Sequence, residues 1–254
     1  MLLTPLEQFQ IIQLLPLILV NLDLSVTNLL ITNLLILGFF IAIVCGFRDN
    51  KINQVAFFLI PNSWQVFVEI IYDVASQLLF DNVNTEGEKY FPYISMIFVF
   101  IVFNNLIGLI PYSFTVTSHI IVTFTLSFSI FIGINIIGFK KHSFKMLSLI
   151  IPANSSINLA LILVPIEFVS YVAKPISLGV RLFINLMAGH TLLKVIAGFA
   201  WSMLLLEDLL AIIHLVPLFL LVILMGLELC VALIQAYVFT ILVCIYLNDS
   251  IHLH

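Results

Sequence analysis

Long uninterrupted apolar runs are the feature that most limits what this chain can fold into. Residues 91–110, 119–138, 158–203 and 209–247 hold few charges, and hydrophobic residues make up 63% of the 254-residue sequence. A helix needs roughly 20 apolar residues to cross a bilayer core about 30 Å thick. In hydrocarbon only helices and closed barrels satisfy their backbone polar groups, and these runs lack the alternation of barrel strands. The sequence therefore predicts an all-α integral membrane protein.

The charge content excludes several classes of protein. Only 9% of the residues are charged, whereas a soluble domain is usually about a quarter charged. The formal net charge is −4 and there is no basic patch, so we expect no nucleic-acid partner. Cys45, Cys230 and Cys244 lie in apolar runs without paired spacing, which predicts neither a disulfide nor a metal site. Nothing has the spacing of a phosphate loop or a nucleophile triad, so we expect no cofactor and no catalysis by this chain alone.

The first part of the chain predicts upright helices and one surface helix. Residues 1–28 form an interfacial lead, residues 29–47 a spanning helix, residues 53–80 an amphipathic surface helix, and residues 91–139 a spanning pair. The surface assignment depends on polar side chains that recur every fourth residue on one helical face. These are Gln65, Glu69, Asp73 and Gln77. All basic loop residues then fall on one side, which the positive-inside rule places inside, with the N-terminus outside.

Residues 148–254 contain two apolar helices, each about twice as long as an upright span requires. They either break at Pro165, Pro175 and Pro217 or tilt far from the membrane normal. The average tilt of a spanning helix is only about 20°, so a steep tilt needs a protein surface to lie against. We therefore expect a steeply tilted, near-horizontal hairpin packed on a partner protein.

Arg181 lies deep in the first of these helices. A guanidinium keeps its proton, and burying it in a bilayer costs from about 3 to more than 10 kcal/mol. Glu167, Lys174 and Arg181 follow one another at i,i+7 and form one stripe, and Asn185 continues it by one turn. His190 lies roughly half a turn around the axis. A fixed charge at this depth marks function by default.

The second long helix supplies a matching set of polar residues. Glu228 and Gln235 share a face at i,i+7, and Asp249 follows at the helix end. With the N-terminus outside, Glu167 and Asp249 lie toward the inside, whereas His190 and Glu228 lie toward the outside. Two titratable pairs at opposite depths, with an arginine between them, predict two half-paths for protons that do not meet.

Structural roles for the same residues stay open at this point. One structural role for Arg181 is that its long side chain reaches the membrane–water interface. His190 fits a packed histidine bonded to a backbone carbonyl, and Glu167 fits an ion pair with Lys174 on its own stripe. Asp249 fits a solvated residue at a helix end.

At these residues the chain resembles a known family. Residues 170–183, with Asn185 and residues 188–190, look like the signature of subunit a of F-type ATP synthases. The resemblance extends over nearly the full length. It includes residues 4–9, 110–119, 228–235 and 246–254. It implies an upright helix, a surface helix, an upright pair and two long near-horizontal helices that face the ring of c subunits.

The resemblance also implies roles for the polar residues. Arg181 faces the carboxylate of the c-ring and separates two half-channels. The resemblance places the remaining polar residues in three groups. These are His190, Glu228 and Asn105 in the intermembrane-space half-channel, Glu167 and Asp249 in the matrix half-channel, and Asn185 and Gln235 beside the arginine. Two departures concern packing: Ile184 replaces a small residue, and residues 152–156 replace a loop richer in Gly and Pro.

The implied partners are the c-ring, the peripheral-stalk subunit b, other membrane-sector subunits, membrane lipid and the translocated protons. A histidine at 190 with a glutamate at 228 is similar to mitochondrial members, because bacterial members commonly have the swapped pair. No Lys or Arg precedes Arg48, which argues against a signal or transit peptide. We therefore expect a multi-pass, organelle-encoded protein of the mitochondrial inner membrane.

Two other functions remain as alternatives. A stand-alone secondary transporter with an intramembrane Arg–Glu site commonly shows two-fold repeats, and this chain has no convincing repeat. A purely structural subunit of a respiratory complex does not need titratable groups at two depths. Co-isolation with a rotor ring and a soluble ATPase would distinguish a subunit of a rotary ATP synthase from both of these alternatives.

Overall fold

The computed structural model is almost entirely helical. It describes residues 7–16, 18–19, 22–23, 25–45, 63–110, 113–143, 146, 157–204 and 211–252. The helices are α1 (Asn28–Cys45), α2 (Ser63–Val83), α3 (Phe91–Gly108), α4 (Ile120–His142), α5 (Ile157–Leu204) and α6 (Ala211–Ile251). Among the described residues, four helices are long and apolar enough to cross a membrane, and they correspond to α3, α4, α5 and α6. The predicted class, an all-α membrane protein, is therefore confirmed.

Short strands precede the helices, and the sequence did not predict them. A 3-10 turn at Glu7–Phe9 leads to β1 (Gln13–Leu15), which pairs antiparallel with β4 (Val26–Thr27). Between them lie β2 (Ile18–Leu19) and β3 (Leu22–Asp23), which pair with each other. Strands of two or three residues are too short to show an alternating pattern, which is why periodicity gave no sign of them.

Asn28 fixes the point where the strands end and α1 begins. The backbone N–H of Ile12 donates to Asn28 Oδ1 at 3.3 Å, and Asn28 Nδ2 donates to the carbonyl of Gln10 at 3.1 Å. The same Oδ1 accepts from the backbone N–H of Leu29 at 3.0 Å, in the manner of a helix cap. Residues 46–47 of the expected spanning helix lie outside the described residues, as do residues 53–62 of the expected surface helix.

Helix α2 packs one apolar stripe against α3 and α6. Val68, Ala75 and Leu79 are buried on this stripe, whereas Glu69 and Asp73 are exposed. Gln65 departs from the expected polar face, because it is buried and donates from Nε2 to Glu69 Oε1 at 3.2 Å. The neighbouring glutamate satisfies the buried amide nitrogen, so the turn that contains Gln65 can pack inward.

Residues 113–119, between α3 and α4, contain a 3-10 segment at Val116–Ser118. They are called the outer turn, because the charge pattern predicts that they lie outside. Pro92 stands in the first turn of α3, where its missing N–H costs nothing. Lys140, Lys141 and His142 form the last turn of α4. His142 Nε2 lies 2.8 Å from the carbonyl oxygen of Ile251, which joins the end of α4 to the end of α6.

Helices α5 and α6 run without interruption through their prolines. They contain 48 and 41 residues, with Pro165 and Pro175 inside α5 and Pro217 inside α6. At 1.5 Å per residue they are roughly 70 and 60 Å long, about twice the thickness of a bilayer core. The alternative of helices broken at proline is therefore wrong, and lengths of this size fit a bilayer only at a steep tilt.

A shared core holds α2 to α6 together. Its fully buried side chains include Leu79, Ile94, Ile101, Leu182, Phe239 and Leu247. Helix α4 lies close to α5 at Gly179, where a Cβ would lie 2.7 Å from Ser127 Oγ and 3.2 Å from the carbonyl oxygen of Thr123. A glycine at this position permits the close contact of the two helices.

Candidate functional site

Polar pairs connect α5 and α6 at three levels. The pairs are His190 with Glu228, Asn185 with Gln235, and Lys174 with Asp249. The residue number rises by 16 along α5 from Lys174 to His190 and falls by 21 along α6 from Asp249 to Glu228, which is the order of an antiparallel hairpin. The hairpin therefore arranges its polar side chains in a ladder, with Arg181 between the middle and the last of these levels.

The first level is the pair of His190 and Glu228. His190 Nδ1 lies 3.6 Å from Glu228 Oε1, and the side chains are 14% and 6% exposed. Both carboxyl oxygens of Glu228 and Nε2 of His190 are buried without a hydrogen-bond partner among the described residues. Gly189 makes room for the carboxyl group, because a Cβ there would lie 2.6 Å from Oε1. A carboxyl group this short of partners is suited to exchanging protons with water.

Asn105 and the amide pair lie next to this level. Asn105 Nδ2 donates to the carbonyl of Ala232 at 3.1 Å, and Ala232 is one turn beyond Glu228. Asn185 Nδ2 donates to Gln235 Oε1 at 2.8 Å. Oδ1 of Asn105 and Nε2 of Gln235 are buried, and neither has a partner within the described ranges. The carbonyl oxygen of Asn105 and the amide nitrogen of Gln235 are therefore available to bind water or a partner.

Arg181 lies on the opposite side of α5 from the core. Leu178, Leu182 and Leu186 are buried against the rest of the chain, whereas Arg181 is exposed. Within the described part of the chain it makes no hydrogen bond or ion pair. Small or apolar side chains continue the exposed stripe in both directions, namely Ala173, Ser177, Ile184 and Ala188. The guanidinium is therefore exposed on this stripe, and it is also near enough to Tyr246 of α6 for an electrostatic interaction.

The last level pairs Lys174 with Asp249. Lys174 Nζ lies 3.4 Å from Asp249 Oδ2, and both side chains are partly exposed. The same nitrogen lies 5.6 Å from the ring centroid of Tyr171 and 5.0 Å from that of Tyr246. An ammonium group between two aromatic faces and a carboxylate is held by favourable electrostatics on three sides.

The structure does not bring Glu167 into this group. Glu167 is exposed, two turns before Lys174, and it forms no ion pair with any described residue. The alternative of an ion pair between Glu167 and Lys174 is therefore wrong, because Lys174 binds Asp249 on the other helix. The structure also adds the Tyr171 hydroxyl, which donates to Oδ1 of Asn135 on α4.

The sequence did not predict the pair of Lys174 and Asp249, and the reason is simple. The i,i+7 spacing places Lys174 on a stripe of its own helix, and it says nothing about the other helix. Once Asn185 is opposite Gln235, the antiparallel register puts Lys174 near Asp249 without further information. Among the described residues, no three His, Cys, Asp or Glu side chains come together as metal ligands.

Comparison with known proteins identifies the family of the chain. Residues 27–248 match the family model described as "ATP synthase A chain". Proteins named "ATP synthase subunit a" align with nearly the whole chain. The one from Chondrus crispus is 48% identical over 254 residues, covering 99% of this chain and 97% of its own length. That from Pylaiella littoralis is 51% identical over 251 residues, and that from Marchantia polymorpha 48% over 254, each with 99% of both chains covered.

The resemblance stated from the arginine block is thereby confirmed at full length, and neither alternative function corresponds to the family found. A match over residues 27–248 includes α1 to α5 and all of α6 except its last three residues. The chain belongs to the ATP synthase A chain family, the family of ATP synthase subunit a.

Proposed function

We propose that this chain is the proton-translocating stator subunit of a rotary F-type ATP synthase. Two half-channels lie against the c-ring, and Arg181 separates them. The observation that supports this most is the position of Arg181, exposed on the outer side of α5 and without an internal ion pair among the described residues. An arginine inside a membrane helix needs a partner charge or water, and we place the ring carboxylate beside this exposed one.

The outer half-channel delivers protons through Glu228 and His190, with Asn105 on its wall. The support is their contact at 3.6 Å, their burial, and the lack of other partners for both Glu228 oxygens. In the bilayer the path opens to the intermembrane space. Here Glu228 accepts a proton from water and passes it, with His190, toward the ring.

Arg181 controls where the ring carboxylate is charged. A carboxylate that faces lipid is neutral, because a buried anion is too costly, whereas the nearby guanidinium favours the ionised form. Arg181 also prevents a direct leak, since it repels hydronium and cannot relay a proton by losing its own. Asn185 and Gln235 hold the two helices together beside it through their 2.8 Å hydrogen bond.

The inner half-channel releases protons toward the matrix past Glu167 and Asp249. Both are exposed or partly exposed at the inner part of the hairpin. A site on the ring turns through lipid from the outer to the inner path and loses its proton there. Each proton that crosses ~150 mV gains about 3.5 kcal/mol, which becomes torque only while the two paths stay separate.

The proposed partners are the c-ring against the exposed stripe of α5, the peripheral-stalk subunit b, other membrane-sector subunits and lipid. The proposed location is the mitochondrial inner membrane, with the gene in the organelle. The order of His190 and Glu228 supports this location. ATP chemistry belongs to the soluble partners, and this chain supplies the path for protons.

The test replaces Arg181 in the assembled synthase. Arg181→Gln is expected to abolish ATP synthesis and to raise the passive proton leak of inner-membrane vesicles, because the barrier between the paths is lost. Lys194→Gln removes another basic group from the same helix and serves as the matched control, with synthesis retained. Coupled synthesis at the normal rate in the Arg181→Gln enzyme would contradict the proposal.

A further inference from the structure

We infer that the outer half-channel continues beyond Asn105 into a hydrated inlet lined by the hydroxyl groups of Thr115 and Thr117, in the outer turn between α3 and α4. This inference rests on the proposed function, and it adds to that function the route by which water reaches Glu228.

The outer turn is unusual in how deeply its polar side chains are buried. Thr115 and Thr117 are each 3% exposed, and their hydroxyl oxygens have no hydrogen-bond partner among the described residues. Ser118, equally polar, donates instead to the carbonyl of Thr115 at 2.6 Å. A buried hydroxyl without a partner costs about 1 to 3 kcal/mol. Such groups are normally satisfied by ordered water.

The residues that carry the unsatisfied groups are linked to the site by packing and hydrogen-bond contacts. A Cβ at Gly108 would lie 3.0 Å from Thr115 Cγ2, so the turn packs directly on the end of α3. Asn105 lies one turn before Gly108, and its Nδ2 binds the carbonyl of Ala232, one turn beyond Glu228. One turn of helix rises about 5.4 Å, a distance that a single water molecule bridges between two polar groups.

Each step also has an oxygen available for that water. Oδ1 of Asn105, which is 1% exposed, and both oxygens of Glu228 have no hydrogen-bond partner within the described ranges. The outer turn also packs on α5, the helix that contains His190. Buried oxygens without a described partner therefore occur in the outer turn, at Asn105 and at the proton-accepting carboxyl group, all within one set of packed contacts.

The apolar side of His190 supports a route through the turn. The ring of Phe9, in the N-terminal 3-10 turn, lies edge-on to the His190 imidazole with centroids 6.5 Å apart. Water has no hydrogen-bonding group to follow along that ring. The titratable groups near the inlet are His119 at its outer end and Glu228 and His190 at its inner end, and the lining between them is neutral.

The test measures passive proton flux through membrane vesicles from which the soluble ATPase has been removed. Thr115→Val and Thr117→Val keep the shape of the side chain and remove the hydroxyl, and each is expected to lower the flux several-fold, more in combination. Thr115→Ser and Thr117→Ser are expected to retain it. Thr125→Val is the matched control, because that hydroxyl is exposed and binds the carbonyl of Ile121 at 2.7 Å on its own helix.

A second measurement does not depend on the valine variants assembling. Thr117→Cys is treated from the outer side with silver ion, which coordinates a thiolate only where water reaches it. The expected result is loss of flux in this variant and unchanged flux in the Thr125→Cys and unsubstituted enzymes under the same treatment. Normal flux in the valine double variant, or silver-insensitive flux in Thr117→Cys, would overturn the inlet.

Glu228→Gln separates the two levels of inference. If it blocks the flux while the threonine variants do not, the inlet is wrong and the half-channel stands. If flux is normal in Glu228→Gln itself, the proposed outer half-channel is wrong as well.

Discussion

The surroundings of Glu228 depend on the missing side chain at Gly189. The carboxyl group occupies the space that a Cβ would take, since Oε1, Cδ and Cγ lie 2.6, 3.0 and 3.3 Å from its ideal position. Glycine in a helix interior costs about 1 kcal/mol relative to alanine. A glycine here therefore sacrifices helix stability for the position of one titratable group.

Gly189→Ala is expected to lower ATP synthesis and passive proton flux without preventing assembly, because the methyl group pushes the flexible carboxyl end away from His190. Flux measurements on vesicles, with native-gel quantification of the complex, check the result. Gly226→Ala is the matched control on α6, since nothing lies within 4 Å of its added Cβ. Equal flux in the two variants would show that the position of the carboxyl group does not matter.

Close contact between helices depends on a second glycine, Gly179, which lies against α4. Gly179→Ala is expected to destabilise the assembled complex by about 1 to 3 kcal/mol, as overpacking in a full core does. Ser127→Ala removes the nearest atom, Oγ at 2.7 Å, and should partly restore stability in the double variant. The carbonyl of Thr123 at 3.2 Å belongs to the backbone and stays, so the rescue is incomplete.

A double-mutant cycle on the heat-inactivation temperature of the complex measures this coupling. Additive effects of the two substitutions would mean that Gly179 and Ser127 do not limit the distance between α4 and α5.

The outer turn has its own response to pH. Burial lowers the pKa of His119 from its ordinary value of 6.5, and its ring lies 5.2 Å from that of Phe114. The folded turn therefore binds fewer protons than the unfolded turn as the pH falls below 6.5, and folding loses stability there, whereas above 6.5 both forms are neutral. Amide hydrogen exchange in Ser113–His119, corrected for intrinsic rates, should be faster at about pH 5.5 than at about pH 7.5.

His119→Gln provides the comparison for this measurement. Glutamine does not titrate in that range, so its corrected exchange should be the same at both pH values. A pH dependence that persists in the glutamine variant would assign the effect to another group.

Some elements could be predicted from the sequence because their signal is local. Apolar runs near 20 residues and the charges at their ends indicate spanning helices, whatever the helices contact. The strands around residues 13–27 have no such signal, since two or three residues cannot show a period. The pairing of Lys174 with Asp249 is also beyond local reasoning, because it depends on the register between helices. The burial of Thr115 and Thr117 depends in the same way on how the outer turn packs.

The whole molecule combines upright helices with a hairpin too long to be upright. Exposed apolar side chains occur at both ends of α5, with Leu161 78% exposed near its start and Trp201 66% exposed near its end. If α5 stood upright, at least one of these ends would place its apolar side chains in water at a high cost in free energy. A steep tilt keeps both ends in hydrocarbon and presents the stripe around Arg181 along the membrane plane.

Spin labels placed at Leu161 and Phe199 of the membrane-embedded complex test this tilt. Along the helix axis the two positions are roughly 57 Å apart, so both can lie in a hydrocarbon core about 30 Å thick only if α5 tilts by at least about 58°. We expect depth measurements from collisional relaxation to place both labels in the hydrocarbon. Labels at Ile121 and Phe139 on α4 are the control. They should differ in depth by nearly their full axial separation of about 27 Å. An α5 label in water, with the other at mid-depth, would mean that the hairpin stands upright and that its stripe cannot follow a rotating ring.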